Sequence, residues 1–247
     1  MAPLDLTGKR AIVTGASSGI GRATAAAFAA AGMRVAGGAR RVERLETEVA
    51  LELDVTDPAS CERFVADAVE HLGGLDVLVN NAGLALGRVP FDESSEDDEA
   101  SVFAVNVAGL VRMTRLCLPH FGDWGHIVNM GSVAGRQAYE NGALYVTSKF
   151  AERGFTYALR EDLLGRPVRL TTVDPGLVET DFSLVRFRGD EEKAAAVARP
   201  MPEEAPVTIA RLPVRSMVAK ATQPMYACAP GLERVGSPSA APRTPPG

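Results

Sequence analysis

Basic residues are in the minority here. Lys and Arg number 26 against 31 Asp and Glu, a formal net charge of −5. With no basic stripe along the chain, a nucleic-acid partner is not expected. Cysteine is scarce as well: Cys61, Cys117 and Cys228 are far apart and odd in number. That excludes a disulfide framework and fits reduced thiols in a cytoplasm. The three histidines, His71, His120 and His126, are dispersed and no ligand spacing links them to the cysteines, so no metal site is expected. The N-terminus, MAPLDLTGKR, lacks a charged-then-apolar leader. No uninterrupted apolar run approaches the ~18 residues of a membrane span. The expectation is a cytoplasmic protein with no membrane partner. At 247 residues, 46% hydrophobic and 23% charged, the chain suits one globular domain with a sizeable core.

Within that frame, short apolar runs alternate with longer helix-like segments. RAIVTG (10–15) reads as a strand ended by glycine, and the alanine-rich GRATAAAFAAAGM as a helix capped near Gly32. MRVAGGA is a second strand, RVERLETEV a short helix and ALELDV a third strand. Asp57-Pro58 opens a helix that runs to Gly73-Gly74. LDVLVNNAG, GHIVNMGS and PVRLTTVDPG supply strands four to six, with helices around Ala100–Leu118 and Ala143–Leu164. Near-continuous apolar strands separated by helices imply an α/β fold: a single-domain, doubly wound parallel sheet of about seven strands with helices on both faces. The domain is expected over residues 1–235, with a lid segment at about 180–210. SMVAKATQ (216–223) is the candidate seventh strand, and GSPSAAPRTPPG (236–247) has the composition of a disordered tail. The acidic run DESSEDDE (92–99) reads as a solvated loop and helix start.

The first strand runs into TGASSGIG, with Gly15, Gly19 and Gly21 spaced G-x3-G-x-G. Glycines there let the backbone turn tightly and approach a pyrophosphate seated on the next helix's N-terminus. Ser17 and Ser18 add hydroxyls, and Ile20 lies between the last two glycines. An ordinary glycine turn has the same letters; the position between strand one and helix one favours a dinucleotide. Strand two ends in Ala39, Arg40 and Arg41 with no carboxylate. Guanidinium groups suit a 2′-phosphate, so NADP(H) is expected over NAD(H). The alternative is a solvated pair of charges at a helix start.

Tyr145 and Lys149 stand one helical turn apart in YVTSK. A nearby ammonium favours a phenolate, which makes tyrosine a usable proton donor and acceptor. Alone, such a pair is ordinary surface decoration. Ser132, at the end of the fifth strand run, adds a hydroxyl at the sheet edge where ligands bind.

TGASSGIG, NNAG (80–83), Asn106, Ser132, Tyr145-x-x-x-Lys149 and Pro175-Gly176 occur together in the order seen in short-chain dehydrogenases/reductases, which the chain resembles from residue 10 to about 182. The resemblance implies Tyr145 as general acid/base, Ser132 as the group that polarises the substrate oxygen, and Lys149 as the partner of both tyrosine and nicotinamide ribose. It implies that Asn106 supports a proton-relaying water. Asp54 and Val55 would border the adenine, Asn80, Asn81, Ala82 and Gly83 the adenosine side, and Pro175, Gly176, Val178 and Thr180 the nicotinamide. NNAGLALG, MTRLCLP and GLVETDFSLVRFRGDEEKA are further similar to bacterial NADP-dependent 3-hydroxy acid dehydrogenases. That narrower likeness implies a small alcohol/carbonyl substrate bearing a carboxylate, with Arg186, Arg188 or Arg136 to hold it; the family resemblance implies a homodimer or homotetramer. A ketoreductase of bulkier ketones and an inactive NADP(H)-binding sensor remain as alternatives. The stretch from Arg40 to Asp54 is short for the family, and the C-terminal part is poor in helix and strand signals.

Overall fold

The computed structural model describes residues 5–198 of the chain. Six parallel strands form one sheet in the order β3-β2-β1-β4-β5-β6: β1 Arg10–Thr14, β2 Arg34–Ala39, β3 Val49–Glu52, β4 Leu75–Asn80, β5 Phe121–Met130 and β6 Val168–Val173. The candidate seventh strand and the tail lie outside the described residues. Because alternate residues of a strand face opposite sides, the apolar runs feed two cores. Ile12, Leu78 and Ile127 pack with Phe64, Leu72, Met113 and Leu159 on one face. Ala11, Val13, Val77, Val79 and Met130 pack with Ala25, Phe28 and Met33 on the other.

Helices α1 (Gly19–Ala30), α2 (Pro58–Leu72) and α5 (Ala143–Asp162) connect the strands as expected. Gly32, just beyond α1, has the left-handed φ of 82° that ends helices. Asp57 caps α2 by accepting hydrogen bonds from the Ala59 and Ser60 amides at 3.0 and 3.2 Å, and Pro58 fills the first helical position, where no donor is needed.

Three expectations are corrected. RVERLETEV is not a helix: residues 40–48 hold only a 3-10 turn at Val42–Arg44 before β3 starts. The crossover is too short for a helix that must also span back to the sheet edge. Thr47 instead lies over Gly37 of β2, so closely that a β-carbon there would come 2.7 Å from its hydroxyl. Next, the helix expected from Ala100 starts at Glu96, capped by the Ser95 side chain, with the acidic run in its first turn. It runs as α3 (Glu96–Phe103), a π-helical segment (Ala104–Gly109) and α4 (Leu110–Cys117). Last, β5 begins earlier than expected and ends at Met130, which leaves Ser132 outside it, at the head of a 3-10 turn over Val133–Gly135.

The helix spanning Glu96–His120 has a mean hydropathy of 1.4 over its most apolar 18 residues, although no uninterrupted apolar run marks it in the sequence. Its polar groups bond within the fold: Thr114 accepts from Asn80, Asn106 bonds Ser148, and Arg112 donates to the Val55 carbonyl.

The segment expected as a lid at about 180–210, described as far as residue 198, holds α6 (Phe182–Arg186) and α7 (Glu191–Ala198). Reciprocal contacts tie it down: the Gly87 amide donates to the Arg186 carbonyl, and Arg186 Nε donates to the Gly87 carbonyl at 2.8 Å.

Candidate active site

The sheet's strand order reverses between β1 and β4, and it is at such a switch point that parallel sheets bind ligands. The glycine turn leaves β1 there. Gly15 has φ 66°, and a β-carbon on Gly21 would meet the Gly15 carbonyl carbon at 2.9 Å and its oxygen closer still. Asn81 braces the turn from β4, its Nδ2 donating to the carbonyls of Thr14 and Gly15 at 2.9 and 3.2 Å. Thr14 Oγ1 in turn accepts from the Asn81 and Ala82 amides. Ser17 is buried beside the turn, and Ser18 precedes α1, whose first residues include Ile20. Thr180 overhangs Gly19: a side chain at Gly19 would come within 3.2 Å of it. The result is a bare-backbone cradle at a helix N-terminus, of the kind that accepts a phosphate.

The other cofactor candidates follow the strand ends. Arg40 and Arg41 are exposed beyond β2, and Arg41 Nη2 lies 3.5 Å from Ser18 Oγ. Asp54 follows β3. Burial works to raise its carboxyl pKa, but hydrogen bonds from Thr56 and the charge of Arg40 bring it below the usual carboxylate value. Val55 is buried against Gly109. Pro175 receives a hydrogen bond from the Val133 amide, and Gly176 and Val178 follow it beyond β6. Asn80 departs from its implied role: its side chain turns into the core and donates to Thr114 and Asn129, both at 2.9 Å.

The second half of the site sits on α5. Lys149 is buried, and its ammonium is 5.9 Å from the centre of the Tyr145 ring. It donates to the Met130 carbonyl and to Glu152 Oε2, both at 2.8 Å. Ser132 stands two residues beyond Met130, and its Oγ accepts from the Ala134 amide at 3.1 Å, which leaves its own hydrogen free to donate. Gly135 packs its bare backbone on Lys149, where a β-carbon would meet the lysine carbonyl oxygen at 2.9 Å. Asn106 lies inside the π-helical segment, with its amide joined to Leu84 backbone and to Ser148 Oγ at 2.9 Å. A π segment breaks the regular i to i−4 bonding of a helix, so Asn106, the position that the resemblance implies for a relay, is marked by local geometry as well as by residue type. Gly83 faces the same point, 3.9 Å from Lys149 Nζ if it bore a β-carbon.

A cleft of about 360 Å³ opens beside Tyr145, lined by Leu86, Asn141, Arg186, Arg188 and Lys193 among others. Of the three candidate arginines, one is turned inward. Arg186 is 7% exposed, its guanidinium 5.9 Å from the Tyr145 ring centre and 5.6 Å from that of Tyr139. Arg136 is instead paired with Asp174 at 2.6 Å, and the exposed Arg188 with Asp98 at 2.6 Å.

Sequence reasoning did not single out Phe182, Tyr139 or Glu152. Phe182 packs on the Tyr145 ring at 5.8 Å, and the Tyr139 hydroxyl is buried without a partner. Glu152 was detectable as an acid on the stripe 149, 152, 156, 159 that α5 buries.

The short chain dehydrogenase family profile matches residues 9–190. An NADP-dependent 3-hydroxy acid dehydrogenase of Schizosaccharomyces pombe is 42% identical over 204 residues, 76% of this chain and 79% of that one. A serine 3-dehydrogenase of Agrobacterium fabrum is 39% identical over 190 residues, 73% of this chain and 76% of its own. Among solved structures, the closed form of serine dehydrogenase complexed with NADP+ superposes with a TM-score of 0.74 at 39% identity, covering 77% of this chain and 82% of the other. On the cradle, the α5 pair and this extent of likeness together, the chain belongs to the short-chain dehydrogenase family.

Proposed function

We propose that this protein is an NADP(H)-dependent oxidoreductase that interconverts a small 3-hydroxy acid and its 3-oxo partner. The observation that carries the substrate class is Arg186, a buried guanidinium lining the cleft beside Tyr145. Such a group is costly to bury unless an anion meets it, and its fork matches a carboxylate. The relatives named for 3-hydroxy acids and for serine support the same class.

The residues present fit the cofactor: the glycine cradle takes the pyrophosphate, and Arg40 and Arg41 take a 2′-phosphate next to Ser18. NADP(H), when bound, supplies or accepts the hydride. Ser132 donates its free hydrogen to the substrate oxygen and orients it. Tyr145 gives that oxygen a proton in reduction and removes one in oxidation. Lys149 favours the phenolate form and offers its remaining hydrogen to the ribose. Asn106 and Gly83 leave room beside Lys149 for a water that passes the proton onward.

Helix α5 also presents Phe150 and Tyr157, and Leu164 follows in the turn just beyond it; all three are more than 45% exposed and seven residues apart. That apolar stripe is the surface through which we infer a homodimer or homotetramer, readable by light scattering.

NADPH consumption against small 3-oxo acids and bulky ketones tests the reading. Turnover of an acid is expected, lost by 10³-fold or more in Tyr145→Phe, on the order of a missing acid/base group. Arg186→Ala should raise KM for the acid by about 10²-fold, the weight of a charged hydrogen-bonded pair. Turnover confined to bulky ketones and indifferent to Arg186→Ala would move the enzyme to ketone reduction. Cofactor binding without turnover on any carbonyl would make it a sensor.

A further inference from the structure

Helix α5 buries, against Lys149, a carboxylate to which the proposed hydride and proton transfer gives no part. Glu152 is 2% exposed, and its Oε2 lies 2.8 Å from Lys149 Nζ. Its Oε1 is buried with no partner, so the carboxylate is not anchored to any wider network among the described residues. The neighbouring elements bring little other charge to it. Asp174, beyond β6, is the other acid that acts on it, and Asp174 is itself held by Arg136 at 2.6 Å and Arg153 at 3.6 Å. From β5, Asn129 reaches this turn of the helix only through the Thr156 hydroxyl, which bonds the Glu152 carbonyl. The Val133–Gly135 turn contributes backbone alone. Burial raises the Glu152 carboxyl pKa, the Lys149 charge opposes that, and Asp174 adds to it.

We propose that Glu152 is a positioning residue for proton transfer, pinning Lys149 and offsetting part of the ammonium's field at Tyr145. This rests on Tyr145 being the acid/base, as proposed above. A lone ammonium near a phenol favours the phenolate. An anion 2.8 Å from that ammonium turns it into a dipole, whose field falls off faster with distance than a single charge. Arg186, whose guanidinium is also 5.9 Å from the Tyr145 ring centre, has no such anion against it among the described residues. The phenol is the form that reduction consumes, so a weaker cationic field on Tyr145 serves the acid step. With Met130 and Glu152 holding two of the three ammonium hydrogens, the third is aimed by exclusion.

The test needs no substrate. Phenolate absorbance is titrated for the full chain as wild type, Glu152→Gln and Tyr145→Phe; subtracting the last isolates the Tyr145 step. Glutamine keeps the length and the acceptor and loses the charge. The Tyr145 step should move to lower pH in Glu152→Gln, with more phenolate at a given pH below the step. A step that stays put or moves upward overturns the proposal. Glu152→Met, uncharged and similar in volume, repeats the measurement if the amide variant does not fold. Failure of both to fold would make Glu152 a structural counter-ion and overturn the assignment equally. Turnover that survives Tyr145→Phe would refute the acid/base reading instead, independently of where the step lies in Glu152→Gln.

Discussion

Gly21→Ala isolates the cradle from everything else in the site. The added methyl would stand 2.9 Å from the Gly15 carbonyl carbon and nearer still to Asn81 Nδ2 and to the Gly15 carbonyl oxygen, closer than real β-carbons tolerate. Two effects oppose one another in stability. Alanine within α1 gains about 1 kcal/mol of helix propensity, while overpacking a tight contact costs about 1–3 kcal/mol. The net loss is therefore about 0–2 kcal/mol, and the variant folds. The cofactor feels the change differently. Relief requires the turn or α1 to shift by several tenths of an ångström to about 1 Å, and the amides that face the phosphates shift with it. Displacements of that size cost about 10²-fold in well-aligned sites, which corresponds to about 2.8 kcal/mol of binding. Calorimetry with NADPH on the folded variant should show Kd raised about a hundredfold, with the melting temperature changed by a few degrees at most. A folded Gly21→Ala protein that binds NADPH as tightly as wild type would refute the assignment of this turn to the pyrophosphate.

Three stability predictions follow from the framework that carries the site. Asp57→Ala removes the α2 cap and should cost about 1 kcal/mol, read as a fall of about 2–4 °C in thermal denaturation. Asp76 joins β4 to β1, accepting from the Arg10 amide and from its guanidinium at 2.8 and 3.1 Å; burial raises its pKa, but these bonds outweigh it and bring the carboxyl below 3.8. Its contribution is present above that value and lost as pH falls through the lower folded one, so urea denaturation should find Asp76→Asn weaker by about 2–3 kcal/mol at neutral pH and the gap closing in acid. Burial, with Arg169 adding to it, lowers the His126 pKa from 6.5 to about 4, so the neutral ring's contribution is complete above pH 6.5 and lost as pH falls towards 4. The wild type should lose on the order of 3 kcal/mol across that window, a slope that His126→Gln removes.

How much was legible differs from element to element. TGASSGIG, the Tyr145–Lys149 pair and the capped start of α2 could be read directly, because each depends on neighbours within one turn of chain. The failed helix at RVERLETEV shows the limit of that locality: its letters suit a helix, but the short path from Ala39 to Val49 leaves no room for one. The π segment around Asn106 carried no sequence mark.

The amino-acid sequence by itself determined the alternation of strands and helices, the glycine turn after the first strand and the placing of Tyr145 and Lys149 on one helical turn. These follow from local spacing and side-chain chemistry. Only the tertiary structure decided which charges are buried and with whom. Arg136 and Arg188 found carboxylates at 2.6 Å while Arg186 turned in beside Tyr145, and Glu152 was sealed against Lys149. The energy of a charge depends on the solvent it loses and the partner it gains, and both are set by residues distant in the chain.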